Sequence, residues 1–128
     1  MAIHPTAIIE DGCYIGNEVD IGANSYIGAK TQIGDNTVIH AQVVIDGNVK
    51  IGEGNIIFPG AVIGLAPQDK TYQGEESGVL IGNHNVIREY VTINSATGEG
   101  SLTQIGDSNM MMAYCHIAHN CLIADNVT

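Results

Sequence analysis

The sequence predicts an all-β fold, a parallel β-helix in which short strands wind into triangular coils of 18 residues. The first observation is an isoleucine at every sixth position of residues 3–63. The second is the residue that follows each of these isoleucines, which is often glycine. The third is composition, because 16 Gly, one Phe and no Trp among 128 residues indicate a narrow, regular interior.

A period of six residues fits a strand and does not fit a helix. Six residues rotate an α-helix by about 600°, so successive isoleucines would drift around it by about 120°. Side chains of a strand alternate between two faces, so every sixth residue returns to the same face. Each hexad is therefore predicted to be a short strand and a corner, with Asn24, Asn36 and Asn48 among the corner residues that tolerate positive φ.

We call the positions that hold an isoleucine at every sixth residue the isoleucine lattice. This lattice continues beyond residue 63 but is interrupted by two segments. Ile81, Ile87 and Ile93 return to it, and Met111 fills one later position. Three lattice positions hold carboxylates that a dry isoleucine stack would exclude, namely Asp69, Glu75 and Glu99. We therefore predict one domain over 1–128 with two loop excursions, near 65–80 and 95–103, which are suited to binding groups.

The charge and the first residues limit the classes of partner and location. The formal charge is −10, from 14 acidic and four basic residues, which argues against nucleic acid and anionic membranes as partners. No apolar run approaches the roughly 18 residues that a membrane span needs. The first residues lack the basic and apolar regions of a signal peptide, so the cytoplasm is the expected location.

The three cysteines are expected to be small core residues. Cys13, Cys115 and Cys121 each stand two residues before a lattice position, where small residues recur. An odd number of cysteines and a Cys-x5-Cys spacing do not fit a zinc site or a disulfide framework.

The candidate reactive groups are two histidines on the lattice segment 115–121. His116 directly precedes Ile117 and is predicted to point outward, and His119 is expected at or near the next corner. A neutral imidazole suits general base work. Two alternatives remain at this point: a pair of ordinary surface histidines, or a metal site completed by His84. The second alternative corresponds to a metal-dependent hydratase, although the histidine spacing fits it poorly.

Several segments carry a resemblance to one family. Residues 112–121, Met-Ala-Tyr-Cys-His-Ile-Ala-His-Asn-Cys, resemble the catalytic segment of the bacterial acyl-[acyl-carrier-protein]–UDP-N-acetylglucosamine O-acyltransferases, which begin lipid A biosynthesis. Residues 67–75, Pro-Gln-Asp-Lys-Thr-Tyr-Gln-Gly-Glu, resemble their substrate loop. The resemblance covers the whole chain and implies that the β-helix is left-handed.

The resemblance implies a reaction and a set of site residues. His119 would be the general base that takes the proton from the sugar 3-hydroxyl, which attacks the thioester of a 3-hydroxyacyl acyl carrier protein. Gln68, Asp69, His116 and Asn120 would bind the substrate UDP-N-acetylglucosamine. The resemblance implies no cofactor and no metal, and it implies a homotrimer with acyl carrier protein as partner.

The chain departs from the family pattern in side chains and in length. Asn120 follows the candidate base where the family often has Asp, and Thr71 stands where a Lys is common. Asn94 and Ser95 stand where some members carry His-Arg. Family members are about twice as long, so we expect a truncated chain without the C-terminal helical domain. A non-catalytic β-helix scaffold is therefore a further alternative to the acyltransferase.

Overall fold

The structure is a computed structural model that describes residues 1–128. It consists of short strands joined by corners and loops, with no helix. The strands are β1 (Ile8–Ile9), β2 (Tyr14–Ile15), β3 (Asp20–Ile21), β4 (Tyr26–Ile27), β5 (Gln32–Ile33), β6 (Val38–Ile39), β7 (Val44–Ile45), β8 (Asn48–Ile51), β9 (Ile56–Ile57), β10 (Val62–Ile63), β11 (Gly78–Ile81), β12 (Val86–Ile87), β13 (Thr92–Ile93), β14 (Leu102–Ile105), β15 (Met110–Met111), β16 (His116–Ile117) and β17 (Leu122–Ile123).

Every third strand along the chain joins the same sheet, so the coil has three sides. The sheet orders are β1-β4-β7-β10-β13-β16, β2-β5-β8-β11-β14-β17 and β3-β6-β9-β12-β15, and all pairs are parallel. Ile27 pairs with Ile45, which lies 18 residues later, as the triangular coil requires. Ile63 pairs with Ile93 and Ile93 with Ile117, because loops lengthen these two coils. The predicted solenoid of hexads is confirmed.

The core is a column of stacked lattice side chains. The lattice isoleucines from Ile21 to Ile105 are at most 2 % exposed, and Met111 fills its predicted position at 5 %. Burial of such a side chain contributes about 1.5–3 kcal/mol relative to exposure. The lattice residues of the outer coils, such as Ile9 and Ile123, are half-buried. The repeat therefore sets both the backbone path and most of the apolar burial.

A column of buried asparagines runs beside the isoleucines. Asn55, Asn85 and Asn109 stand two residues before lattice positions and are at most 2 % exposed. Asn85 Nδ2 donates to the Gly106 carbonyl at 2.8 Å, and its Oδ1 accepts from the Asn109 amide at 2.9 Å. Because each side chain bridges to the next coil, the column satisfies polar groups that would otherwise be buried without partners. The shared position of the three asparagines is visible in the sequence, but the column itself was not predicted.

The corners follow the predicted chemistry with one correction. Asn24 and Asn36 have φ of 58° and 61°, as expected for corner residues. Asn48 does not, because it begins β8, and the positive φ falls on Gly47 at 93°. Gly34 is needed for a different reason, since an added Cβ would lie 2.6 Å from the Gly52 carbonyl oxygen in the next coil.

Two segments without strands leave the coil on the same side of the molecule. We name residues 64–77 the first loop and residues 94–101 the second loop. Their ends differ from the boundaries predicted above, because β11 begins at Gly78 and β14 at Leu102. These strands are longer than predicted because Val79 and Thr103 are buried in register with each other. No helix in the structure has the length and apolar character to cross a bilayer.

Candidate active site

His116 and His119 lie on one coil, at β16 and the corner that follows it. His116 points outward and is exposed, as predicted. The register of β13 and β16 places Thr92 directly opposite, and the Thr92 hydroxyl is 2.7 Å from His116 Nδ1. This contact leaves Nε2 of His116 without a protein hydrogen bond. His119 is half-buried, with its side chain 35 % exposed.

Asp69 is held in the first loop by hydrogen bonds that favour its ionised form. Its Oδ1 accepts from the Thr71 backbone N–H at 2.9 Å and from the Thr71 hydroxyl at 2.8 Å. Its Oδ2 accepts from the Thr97 hydroxyl of the second loop at 2.8 Å. These bonds, the Thr71 backbone N–H first among them, lower the pKa of Asp69 to about 2. Asp69 is therefore a carboxylate at neutral pH.

The two loops and the histidine corner meet at Asp69. His119 Nε2 lies 3.8 Å from Asp69 Oδ2. On the other side of the imidazole ring, Nδ1 is 2.9 Å from Asn120 Oδ1. The 3.8 Å between His119 Nε2 and Asp69 Oδ2 exceeds the length of a direct hydrogen bond, so a substrate oxygen can approach both groups.

Asn120 connects the corner to the second loop. Its Oδ1 accepts from the Thr97 backbone N–H at 2.9 Å, and its Nδ2 donates to the Thr97 carbonyl at 3.1 Å. Its own backbone N–H donates to the Thr103 hydroxyl at 3.0 Å. The φ of 61° at Asn120 is the corner conformation that Asn tolerates. The amide side chain is therefore anchored at both ends.

Further carboxylates fasten the two loops to each other. Glu75 accepts from the Gln73 backbone N–H at 2.7 Å and from the Gly98 backbone N–H at 2.8 Å. The Gln73 N–H is the largest cause of a lowered pKa at Glu75. Glu99 in turn accepts from the Glu76 backbone N–H at 3.1 Å. Glu75 and Glu99, which interrupt the isoleucine lattice, thus bind loop backbone and keep Asp69 in place over the corner.

Of the other residues considered in the sequence, Gln68 lies beside Asp69, whereas the cysteines and His84 do not contribute to the group formed by Asp69, His119 and Asn120. Gln68 is exposed beside Asp69, and its side chain has no hydrogen bond within the protein. Cys115 packs against the core, and burial raises its pKa, so its thiol is poorly suited to act as a nucleophile. No three His, Cys, Asp or Glu side chains of this chain come together in a group that could hold a metal ion.

Three threonines shape the site in ways that were not predicted from the sequence. Thr71 and Thr97 hold Asp69, and Thr92 holds His116. The contact of Thr92 with His116 could have been predicted by aligning β13 and β16 in register. Thr92 and His116 each occupy the position before a lattice isoleucine. The partnership of Thr97 with Asp69 depends on how two irregular loops pack, and no periodic signal reports that.

Comparison with known proteins relates the chain to one family. The signature described as bacterial transferase hexapeptide (six repeats) matches residues 30–65. The acyl-[acyl-carrier-protein]–UDP-N-acetylglucosamine O-acyltransferase of Synechocystis is 60% identical over 98% of this chain and 46% of its own length. The enzyme of that name from Campylobacter concisus is 43% identical, over 98% of this chain and 48% of its own.

Solved structures give the same relationship. The Acinetobacter baumannii protein of this family superposes with a TM-score of 0.96 at 40% identity, covering 99% of this chain and 50% of that one. The UDP-N-acetylglucosamine acyltransferase of Campylobacter jejuni superposes with a TM-score of 0.91 at 44% identity, covering 98% and 49%. These neighbours are left-handed β-helices, so the predicted hand is confirmed.

The chain spans about half the length of the curated relatives that it matches. Over that half, the similarity includes the coils, both loops and the histidine corner, because it covers nearly all of residues 1–128. The chain therefore belongs to the hexapeptide-repeat acyltransferases and corresponds to the N-terminal half of their acyl-[acyl-carrier-protein]–UDP-N-acetylglucosamine O-acyltransferase members.

Proposed function

We propose that the protein transfers a 3-hydroxyacyl group from acyl carrier protein to the 3-hydroxyl of UDP-N-acetylglucosamine, the first step of lipid A biosynthesis. Relatives at 60% and 43% identity that bear the name of this activity support the proposal. The observation that carries it within the molecule is the position of His119, whose Nε2 faces the Asp69 carboxylate across 3.8 Å.

His119 acts as general base in this proposal. A sugar hydroxyl is a weak nucleophile until a base accepts its proton. The proton passes from the 3-hydroxyl to His119 Nε2, while the oxygen attacks the thioester carbonyl carbon. The carbon–sulfur bond then breaks, and the leaving thiolate takes the proton back from His119. The reaction needs no cofactor and no acyl-enzyme.

Asp69, Gln68, His116 and Asn120 are the proposed substrate contacts. Asp69 offers about four acceptor positions and uses three on Thr71 and Thr97, so one remains for a sugar hydroxyl. Gln68 has a free side-chain amide. His116 has Nε2 available, since Nδ1 faces Thr92. Asn120 keeps one amide hydrogen beyond the one that it donates to the second loop.

The proposal includes a homotrimer in the cytoplasm. The sheet formed by β3, β6, β9, β12 and β15 supports self-association. Its outward positions are apolar in four successive strands: Val38, Ile56, Val86 and Met110. Ile56 is 36 % exposed. A contiguous apolar stripe of this kind is typical of a surface that another chain covers.

A hybrid enzyme tests the proposed reaction. Residues 1–128 replace the matching segment of the Synechocystis relative, which supplies the remainder of the chain. The purified hybrid is incubated with 3-hydroxyacyl carrier protein and UDP-N-acetylglucosamine, and the product is identified by mass spectrometry. We expect O-acylated UDP-N-acetylglucosamine.

Two outcomes would contradict the proposal. A folded hybrid that makes no acylated sugar, under conditions in which the intact relative does, would favour the non-catalytic scaffold. Metal-dependent hydration of carbon dioxide by this chain would favour the hydratase. The matched control is the intact relative at the same enzyme concentration.

A further inference from the structure

We propose that the second-loop residue Thr97 is a positioning residue that sets the tautomer of His119 through Asn120. Thr97 does not touch the ring. Its backbone fixes which way the Asn120 amide faces, and that amide decides which imidazole nitrogen carries the proton. The inference rests on the proposed function, because a bare Nε2 matters only where His119 accepts a proton.

The first step is the orientation of the Asn120 amide. An Asn side chain has an acceptor end and a donor end of nearly equal shape, so its hydrogen-bond partners decide how it is turned. Here the partners are a backbone N–H and a backbone C=O of the same residue, Thr97. An N–H can only donate and a C=O can only accept. Oδ1 must therefore face the Thr97 N–H, and Nδ2 must face the Thr97 carbonyl.

The second step passes this constraint to the imidazole ring. Asn120 Oδ1 is also 2.9 Å from His119 Nδ1. Oδ1 can only accept, so the neutral ring must carry its proton on Nδ1 in order to donate to it. Nε2 is then left with a free lone pair. That nitrogen is the one that faces Asp69 at 3.8 Å, on the side where a substrate oxygen would approach.

A turned amide would give the opposite result. If Nδ2 faced His119, Nδ1 would become the acceptor and Nε2 would hold the proton. The ring would then be unable to act as base at the substrate side. Turning the amide would also oppose Nδ2 to the Thr97 N–H and Oδ1 to the Thr97 carbonyl, which loses both bonds. The second loop therefore excludes the unproductive orientation.

The Thr97 side chain adds a second constraint on the same site. Its hydroxyl donates at 2.8 Å to Asp69 Oδ2, and this oxygen is the one that faces His119. One residue thus contacts both the carboxylate of the first loop and the amide that orients the base. A displacement of the second loop would therefore disturb Asp69 and His119 together.

The test reads the tautomer directly from ¹⁵N chemical shifts of the imidazole ring. The protein is labelled on histidine nitrogens and recorded near pH 8.5, where a typical imidazole is neutral. The His119 signals are assigned by their loss in His119→Gln. Two variants at Asn120 form a matched pair, since Gly and Asp both tolerate the positive φ there. Asn120→Gly removes the amide, and Asn120→Asp keeps an acceptor for both N–H groups.

The expected results separate the backbone role from the hydroxyl role. The unmodified protein and Asn120→Asp should hold His119 as the Nδ1–H tautomer, and Asn120→Gly should shift part of the population to Nε2–H. Thr97→Val removes only the hydroxyl, so the tautomer should stay. The Thr97 amide should exchange with deuterium about two- to tenfold faster in Asn120→Gly, as expected for one net hydrogen bond.

Two results would overturn the inference. One is an Nε2–H tautomer in the unmodified protein. The other is an unchanged tautomer and an unchanged Thr97 exchange rate in folded Asn120→Gly. Neither measurement needs turnover, so failure of the hybrid enzyme to transfer an acyl group would leave these results readable. Conversely, an active hybrid with an Nε2–H ring would refute this inference and the role of Nε2 as proton acceptor, while the transfer reaction itself would stand.

Discussion

Truncation of Asn85 to Ala should destabilise the fold more than its small size suggests. Asn85 is completely buried and lies in the middle of the asparagine column. Its side chain contacts two backbone groups of the next coil, the Gly106 carbonyl at 2.8 Å and the Asn109 N–H at 2.9 Å. Alanine removes both partners while the two backbone groups stay in place.

The magnitude follows from the surroundings of those two groups. The Asn109 N–H is buried, and leaving such a donor unpaired costs about 1–3 kcal/mol. The Gly106 carbonyl is partly exposed, so water can replace some of its bond, and the loss there is about 0.5–1.5 kcal/mol. We therefore expect the free energy of unfolding to fall by about 1.5–4.5 kcal/mol.

Urea unfolding followed by far-ultraviolet circular dichroism measures this loss, and Asn83→Ala is the matched control. Asn83 belongs to the same coil and accepts one bond, from the exposed Glu53 N–H at 2.8 Å. Water can replace that bond, so the control should change the free energy of unfolding by less than about 1 kcal/mol. Equal midpoints for the two variants, at equal slopes, would refute the argument that the column satisfies buried backbone groups.

Three further predictions concern the lattice, the first loop and a thiol. Ile33→Asp should abolish folding, whereas Asp at the exposed neighbour Gln32 should be tolerated; a cooperative melt of Ile33→Asp would contradict the lattice. Because folding lowers the pKa of Asp69 from 3.8 to about 2, its ionised form stabilises loop docking above about pH 4, and this contribution should be lost as pH falls through about 2. The Thr71 amide resonance should titrate with that low midpoint, and a midpoint near 4 would exclude the hydrogen bonds described. Cys115 should react with a disulfide reagent more slowly in the folded chain than in urea, since burial raises its pKa; equal rates would mean an exposed thiolate.

The β-helix could be predicted because its determinants repeat. Side-chain alternation and a period of six are visible in any stretch such as residues 21–45, and they identify the inward residues one by one. The interruptions were equally informative, since Asp69, Glu75 and Glu99 could not enter the core. The backbone conformation at the corners could be predicted less accurately. Asn48 tolerates positive φ, but it begins β8 and is therefore extended.

The site could be predicted only as a list of residues. The residues themselves marked His119 as a candidate base and Asp69 as a loop carboxylate, and the resemblance implied their specific roles. Their separation of 3.8 Å depends on two irregular loops with no repeat. Thr97 carries no sequence signal, because its role arises from contact with residues 28 positions before it and 23 positions after it. Such contacts are set by tertiary packing, which the hexad pattern does not encode.

The most direct test of the account is the turnover of the hybrid enzyme with His119→Ala, beside His116→Ala. Loss of a general base lowers the rate by about 10²–10⁴-fold, so kcat should fall by that factor in His119→Ala while the melting temperature stays unchanged. His116→Ala should mainly raise KM, because His116 is proposed to contact substrate without moving a proton. Small and equal effects of the two substitutions on kcat would contradict the role of His119 as base.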